Sequence, residues 1–176
     1  LGAKVASGFE VDLPGGRTLH NEVVIIGCGN LLRGDDAAGP LLVRKIAELG
    51  TPPGVRLVDG GTAGIDVALE MAGADEVFIV DACTSGSGPG EIFELSGDDL
   101  AVPPPGGMNL HALRWDSAIA FARWQLKDRY PKRVTVILIE AAGFELGAPP
   151  SVPVRDSIEA VARALIARFP RVAGPV

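Results

Sequence analysis

Three side chains in this sequence carry reactive chemistry at the ends of predicted elements: Asp36, Asp81 and His111. Asp36 closes the stretch Val23-Val24-Ile25-Ile26-Gly27-Cys28-Gly29-Asn30-Leu31-Leu32-Arg33-Gly34-Asp35-Asp36, which runs from an apolar segment through small residues into two carboxylates. Asp81 ends a second apolar segment, Val77-Phe78-Ile79-Val80, and His111 follows a Gly/Pro-rich stretch just ahead of a helical pattern. Two carboxylates and one imidazole are a ligand set for a borderline divalent metal. Three protein ligands with one position left open belong to a reactive site rather than a structural one. The three residues are scattered, so spacing by itself also fits a surface loop with a solvated Asp pair and a histidine that merely opens a helix.

The elements that must position them can be read from periodicity. The all-apolar run 23–26 suits a strand covered on both faces, and its end is where an open α/β sheet binds ligands. Leu42, Ile46 and Leu49 then recur at helical spacing, with Pro40 in the first turn and Gly50 as the stop. Asp35 and Asp36 thus fall at or just before a helix N-terminus, where the dipole favours negative charge. A second strand over 55–58 leads into Asp59-Gly60-Gly61-Thr62-Ala63-Gly64 and a short helix over 65–71. The third strand covers 77–80 and terminates at Asp81. Residues 91–95 read as a short strand reached by a loop too short for a parallel crossover, hence an antiparallel edge hairpin with the third strand.

Residues 98–109, with three consecutive prolines and two glycines, are expected to be the least ordered internal loop. Asn109 is the expected N-cap of a helix that carries His111 in its first turn and the stripe Trp115, Ile119, Ala122 and Leu126. A buried-type strand over 134–139 ends at Glu140. The last helix opens at Ser151 or Pro153 with Ile158, Val161 and Leu165 inward. This alternation predicts a three-layer α/β/α sandwich on an about five-stranded, mostly parallel sheet with one antiparallel edge strand. The first, third and last strands should be central. Strands one and three are expected as neighbours across the switch point, which brings Asp36 to Asp81.

Composition narrows the function classes. The 176 residues are 47% hydrophobic, with 23 Gly and 14 Pro, as in a loop-punctuated globular protein. They are read as a single domain, with 1–20 an N-terminal extension and 21–170 the core. The net charge of −6, with no basic block, argues against nucleic acid and anionic membranes as partners. No apolar run approaches the ~20 residues of a membrane span, and no signal-peptide pattern is visible. Cys28 and Cys83 form neither a disulfide framework nor a zinc-type pair, so the cytoplasm is the expected compartment; a monomer is expected.

The blocks Gly27-x-Gly-Asn-x-Leu-x-x-Asp-Asp-x-x-Gly39, Asp59-Gly-Gly-Thr-Ala-Gly64 and Val80-Asp81-Ala82, followed by a helix-opening His111, together resemble the nickel–iron hydrogenase maturation endopeptidases. The resemblance runs from about residue 23 to 166 and rests on the order of the blocks. It implies a hydrolase that removes a C-terminal extension from a hydrogenase large-subunit precursor once nickel is inserted. It also implies that Asp36, Asp81 and His111 contact the metal, and that Gly60, Gly61, Thr62, Ala63 and Gly64 line the substrate cleft. The family often has Glu where Asp36 stands, so Asp35 is the second candidate for that contact. The segment His111-Ala-Leu-Arg-Trp-Asp116 departs from the family pattern and leaves the hydrogenase subtype open. Without thiolates the set is not an obvious tight resident site. That favours nickel carried in by the substrate, with no organic cofactor.

Other readings compete. Asp59 as a ribose-binding residue would make Gly27-Cys28-Gly29 a dinucleotide fingerprint of an oxidoreductase, but the third glycine position is Leu32. A checkpoint chaperone that probes the metal centre without cutting is the non-enzymatic rival. Cys28 and Cys83 are read as inert buried thiols rather than nucleophiles paired with His111. No Ser-His-Asp arrangement is visible. His20 reads as solvated, Trp115 and Trp124 as packing, and Arg114 and Arg123 as charge available to a partner.

Overall fold

The computed structural model describes residues 22–100 and 115–169. Four parallel strands, β1 (Val23–Cys28), β2 (Val55–Gly61), β3 (Glu76–Cys83) and β5 (Arg133–Glu140), and the antiparallel β4 (Ile92–Ser96) form one sheet in the order β2-β1-β3-β5-β4. The three most apolar strands, β1, β3 and β5, are the inner ones, because only there is each strand paired on both sides and covered on both faces. Chain direction reverses its lateral progress between β1 and β3, which makes their carboxyl ends the switch point of the sheet.

Alternation along the strands separates two cores. Val23 and Ile25 of β1, with Phe78 and Val80 of β3, face α1 (Ala38–Leu49) and α5 (Val152–Ala167) through Leu42, Ile46, Ile158 and Leu165. Val24 and Ile26, with Val77 and Ile79, face α2 (Gly64–Glu70) and α4 (Trp115–Leu126) through Val67, Ala68, Ile119 and Ala122. The sheet is therefore the middle layer of an α/β/α sandwich, as expected from the sequence.

Several local expectations are corrected. The segment at 91–95 does not form a hairpin with β3. β5 is inserted between them, and β4 pairs antiparallel with β5, Phe93 opposite Leu138. The largely exposed β4 belongs at an edge, whereas β5 buries nearly its whole length and needs a partner on each side. β3 runs past Asp81 to Cys83. Gly97–Leu100 is a helical turn, α3, held by Arg123 donating to Asp98 Oδ1 at 2.7 Å, so 98–100 are not loop and Arg123 is engaged internally. Trp124 lies at the surface, 67% exposed, tilted against Phe121. Leu49, at the end of α1, is exposed. His20, 101–109, His111 and Arg114 lie outside the described residues, as does the Trp115 side chain.

Candidate active site

The site is built by close approach of backbone. α1 can dock its first turn against β1 and β3 only because Gly39 has no side chain: a Cβ there would stand 2.3 Å from Cys28 O and 2.4 Å from Val80 O. Gly27 faces it, with a hypothetical Cβ 2.1 Å from Gly39 O. Gly29, at φ +128°, lets the chain turn so sharply that a Cβ would sit 1.8 Å from Asp36 O. The main chain closes the turn with Asn30 N–H donating to Asp36 O at 3.1 Å and Asp36 N–H to Arg33 O at 3.0 Å. Residues Gly34–Ala37 form a 3-10 turn leading into α1.

That turn splits the adjacent carboxylates. Asp35 is 1% exposed and points into the protein. Its Oδ1 accepts Ser151 N–H at 2.6 Å, and its Oδ2 accepts Ala142 N–H at 2.7 Å, Gly143 N–H at 3.3 Å and the Ser151 hydroxyl at 3.0 Å. It ties the first turn to the β5–α5 connection and to the residue preceding α5. Asp36 faces the other way, into a cleft of about 340 Å³ at the carboxyl edge of the sheet. Asp81, at the end of β3, lines the same cleft, is 7% exposed and accepts Ala82 N–H at 2.8 Å through Oδ1.

The glycine-rich turn after β2 supplies one wall through Gly61, Thr62 and Gly64. Gly61, at φ +53°, accepts Gly29 N–H at 2.8 Å through its carbonyl and so joins the two turns. Gly60 instead packs on Ile26 and Val67, and Ala63 precedes α2; neither lines the cleft. Cys28 and Cys83 do line it. Burial, reinforced by the Asp81 charge, pushes the Cys28 thiol well above its ordinary range. Burial and then the hydrogen bond to Glu140 push Cys83 up to about 12. Neither is a thiolate near neutral pH, so neither is an activated nucleophile.

Glu140, at the end of β5, anchors the wall that carries Cys83 and Thr84. It accepts Ser85 N–H at 2.8 Å, Gly86 N–H at 2.9 Å, the Ser85 hydroxyl at 2.8 Å and the Cys83 thiol at 3.3 Å. The Ser85 backbone donor above all, against the cost of burial, brings its carboxyl down from 4.5 to about 2.

The model for the hydrogenase maturation protease family, HycI, matches residues 40–168. The chain belongs to the hydrogenase maturation protease family. It is 34% identical over 142 residues to the hydrogenase 3 maturation protease of Escherichia coli, covering 78% of this chain and 85% of that protein. It is 33% identical over 153 residues to the hydrogenase expression/formation protein HupM of Azotobacter chroococcum, covering 82% and 71%. Among solved structures, the E. coli hydrogenase maturating endopeptidase HybD superposes with a TM-score of 0.69 at 24% identity, over 84% of this chain and 91% of that one, a likeness of fold.

The maturation protease is thus a hydrolase, an endopeptidase. The glycine that packs its first helix on the sheet is Gly39, not the position of a dinucleotide fingerprint, where Leu32 is 66% exposed. Of the sequence candidates, the structure brings Asp36, Asp81, Gly61, Thr62 and Gly64 to one cleft; His111 lies outside the described residues. Lining residues not marked out by the sequence pattern include Arg33, Val67, Thr84 and Phe144. Arg33 was visible in principle, three residues before Asp36 in the same turn. Phe144 comes from a connection with no periodicity to mark it.

Proposed function

We propose that this protease removes the C-terminal extension of a nickel–iron hydrogenase large-subunit precursor after nickel has been inserted. The nickel arrives as part of the substrate. Asp36, Asp81 and His111 complete its coordination, so that recognition of the loaded centre and alignment of the scissile bond are one event. The metal, once held, serves as Lewis acid on the scissile carbonyl or as activator of the attacking water.

One observation carries this reading. Two carboxylates from different elements, Asp36 and Asp81, line one cleft at the switch point, while the neighbouring Asp35 is consumed by internal hydrogen bonds. An anionic cleft of oxygen donors without thiolates suits transient contact with a cation delivered on a partner better than tight retention of a free one. The test is to incubate the protein with nickel-loaded and nickel-free precursor and weigh the products. The expected result is loss of a C-terminal peptide from the loaded precursor alone. Binding of loaded precursor without any mass change would make the protein a checkpoint chaperone and overturn the proposal.

A further inference from the structure

Among the described residues that line the cleft, Arg33 is the only cation. Its backbone is pinned on every side. Arg33 N–H donates to Asn30 O at 3.1 Å, Arg33 O accepts Asp36 N–H at 3.0 Å, and Arg33 bridges antiparallel to Leu146. The next residue, Gly34 at φ +52°, donates to Ala148 O at 3.2 Å, and a Cβ on it would stand 2.9 Å from Gly143 O. The side chain is committed only at Nε, which donates to Phe144 O at 3.4 Å. Although the cleft holds Asp36 and Asp81, Arg33 makes no ion pair within 4.0 Å with a described carboxylate. Its two terminal nitrogens are left as donors on an exposed side chain whose backbone is held in place.

Peptide hydrolysis passes through a tetrahedral centre on which negative charge grows at the former carbonyl oxygen, and donors preorganised at that oxygen are usually the largest catalytic contribution. The carboxylates of the cleft cannot supply them, because Asp36 and Asp81 repel an oxyanion, and of the two roles given to nickel above, activation of the attacking water is the one that leaves the carbonyl oxygen to a protein donor. We propose that the Arg33 guanidinium receives the scissile carbonyl oxygen of the precursor and stabilises the charge that develops there. Leu32, next to it in the chain, and Leu146, its backbone bridge partner, are 66% and 78% exposed and offer apolar surface for a bound peptide that would shield the guanidinium from water. Exclusion of water raises the worth of the contact as the charge forms. No atom is transferred to or from Arg33; it contributes hydrogen bonds only.

This inference rests on the protease acting on the precursor as proposed above, and the experiment separates the two. Cleavage of nickel-loaded precursor is followed under single turnover with enzyme in excess, and binding of the same precursor is measured separately, for wild type, Arg33→Met and Arg33→Lys. The expected result is that Arg33→Met lowers the cleavage rate by ~100-fold or more, the cost of losing one oxyanion donor, with precursor affinity within about threefold of wild type. Arg33→Lys, which keeps the charge without the planar fork, should recover part of the rate. Unchanged cleavage by Arg33→Met would overturn the inference, as would a loss of affinity equal to the loss of rate, which would make Arg33 a docking contact. Failure of the wild type to cut would sink the proposed function, and this inference with it.

Discussion

At the scale of single residues, the adjacent aspartates divide stability from activity. Asp35→Asn places an amide N–H₂ against donors that now point at carboxylate oxygens, leaving buried groups unsatisfied, so a loss of about 3 kcal/mol is expected in denaturant unfolding. Asp36→Asn keeps the shape of a cleft-lining side chain and removes only charge. Its unfolding free energy should stay within ~0.5 kcal/mol of wild type. Its cleavage rate should fall by at least ~100-fold, since even groups that merely support a metal ligand cost roughly 10–100-fold when lost. Equal stability losses in the two variants would contradict the opposed orientations. This division was not legible in the sequence. Two identical residues in tandem differ only through the main-chain and hydroxyl groups of Ala142, Gly143 and Ser151, 107 to 116 residues away, and nothing local reports that. The strand-end position of Asp81 was legible, because an apolar run that stops at a carboxylate marks where burial gives way to the sheet edge.

At the scale of elements, the site depends on two contacts that carry no chemistry. The first is α1 against the sheet. Gly39→Ala drives a methyl into the Cys28 and Val80 carbonyls, neither of which can rotate away. A destabilisation of about 3 kcal/mol, at the upper end of overpacking, is expected in chemical denaturation, with cleavage reduced because Asp36 moves with the helix. The second is the tether of the β3–β4 connection to β5 through Glu140. A carboxyl held at about 2 against an ordinary 4.5 contributes stability that is fully present above pH 4.5 and is lost as pH falls from there towards 2. Glu140→Gln should therefore be less stable than wild type at neutral pH. The gap should narrow through the window between pH 4.5 and 2, as read from denaturation midpoints at a series of pH values. A gap that is constant across that window would remove Glu140 from the acid response. The insertion of β5 between β3 and β4 is not legible in the sequence for a related reason. A strand's order in a sheet is decided by how much of it is buried on each side, and proximity in sequence is a poor substitute.

At the scale of the whole molecule, two cores close the sandwich around the sheet, and folding is expected to need no metal. The charged set at the cleft sits outside both cores, so the free energy of the fold and that of metal recognition should be separable. A ligand that binds only the native state adds RT ln(1 + [L]/Kd), which is about 4 kcal/mol for a metal present at a thousand times its Kd. In a chain of this size that corresponds to a shift in Tm of roughly 8 °C or more. If nickel is delivered on the substrate, as proposed, treating the purified protease with a chelator should leave its Tm within about 1 °C. The stripped protein, freed of chelator, should then cut precursor loaded with nickel beforehand at the untreated rate. A Tm that drops on stripping and returns with zinc, together with cleavage that zinc alone restores, would identify a resident-metal protease. Asp36 and Asp81 would then hold the enzyme's own ion, and the nickel on the precursor would have no part in recognition.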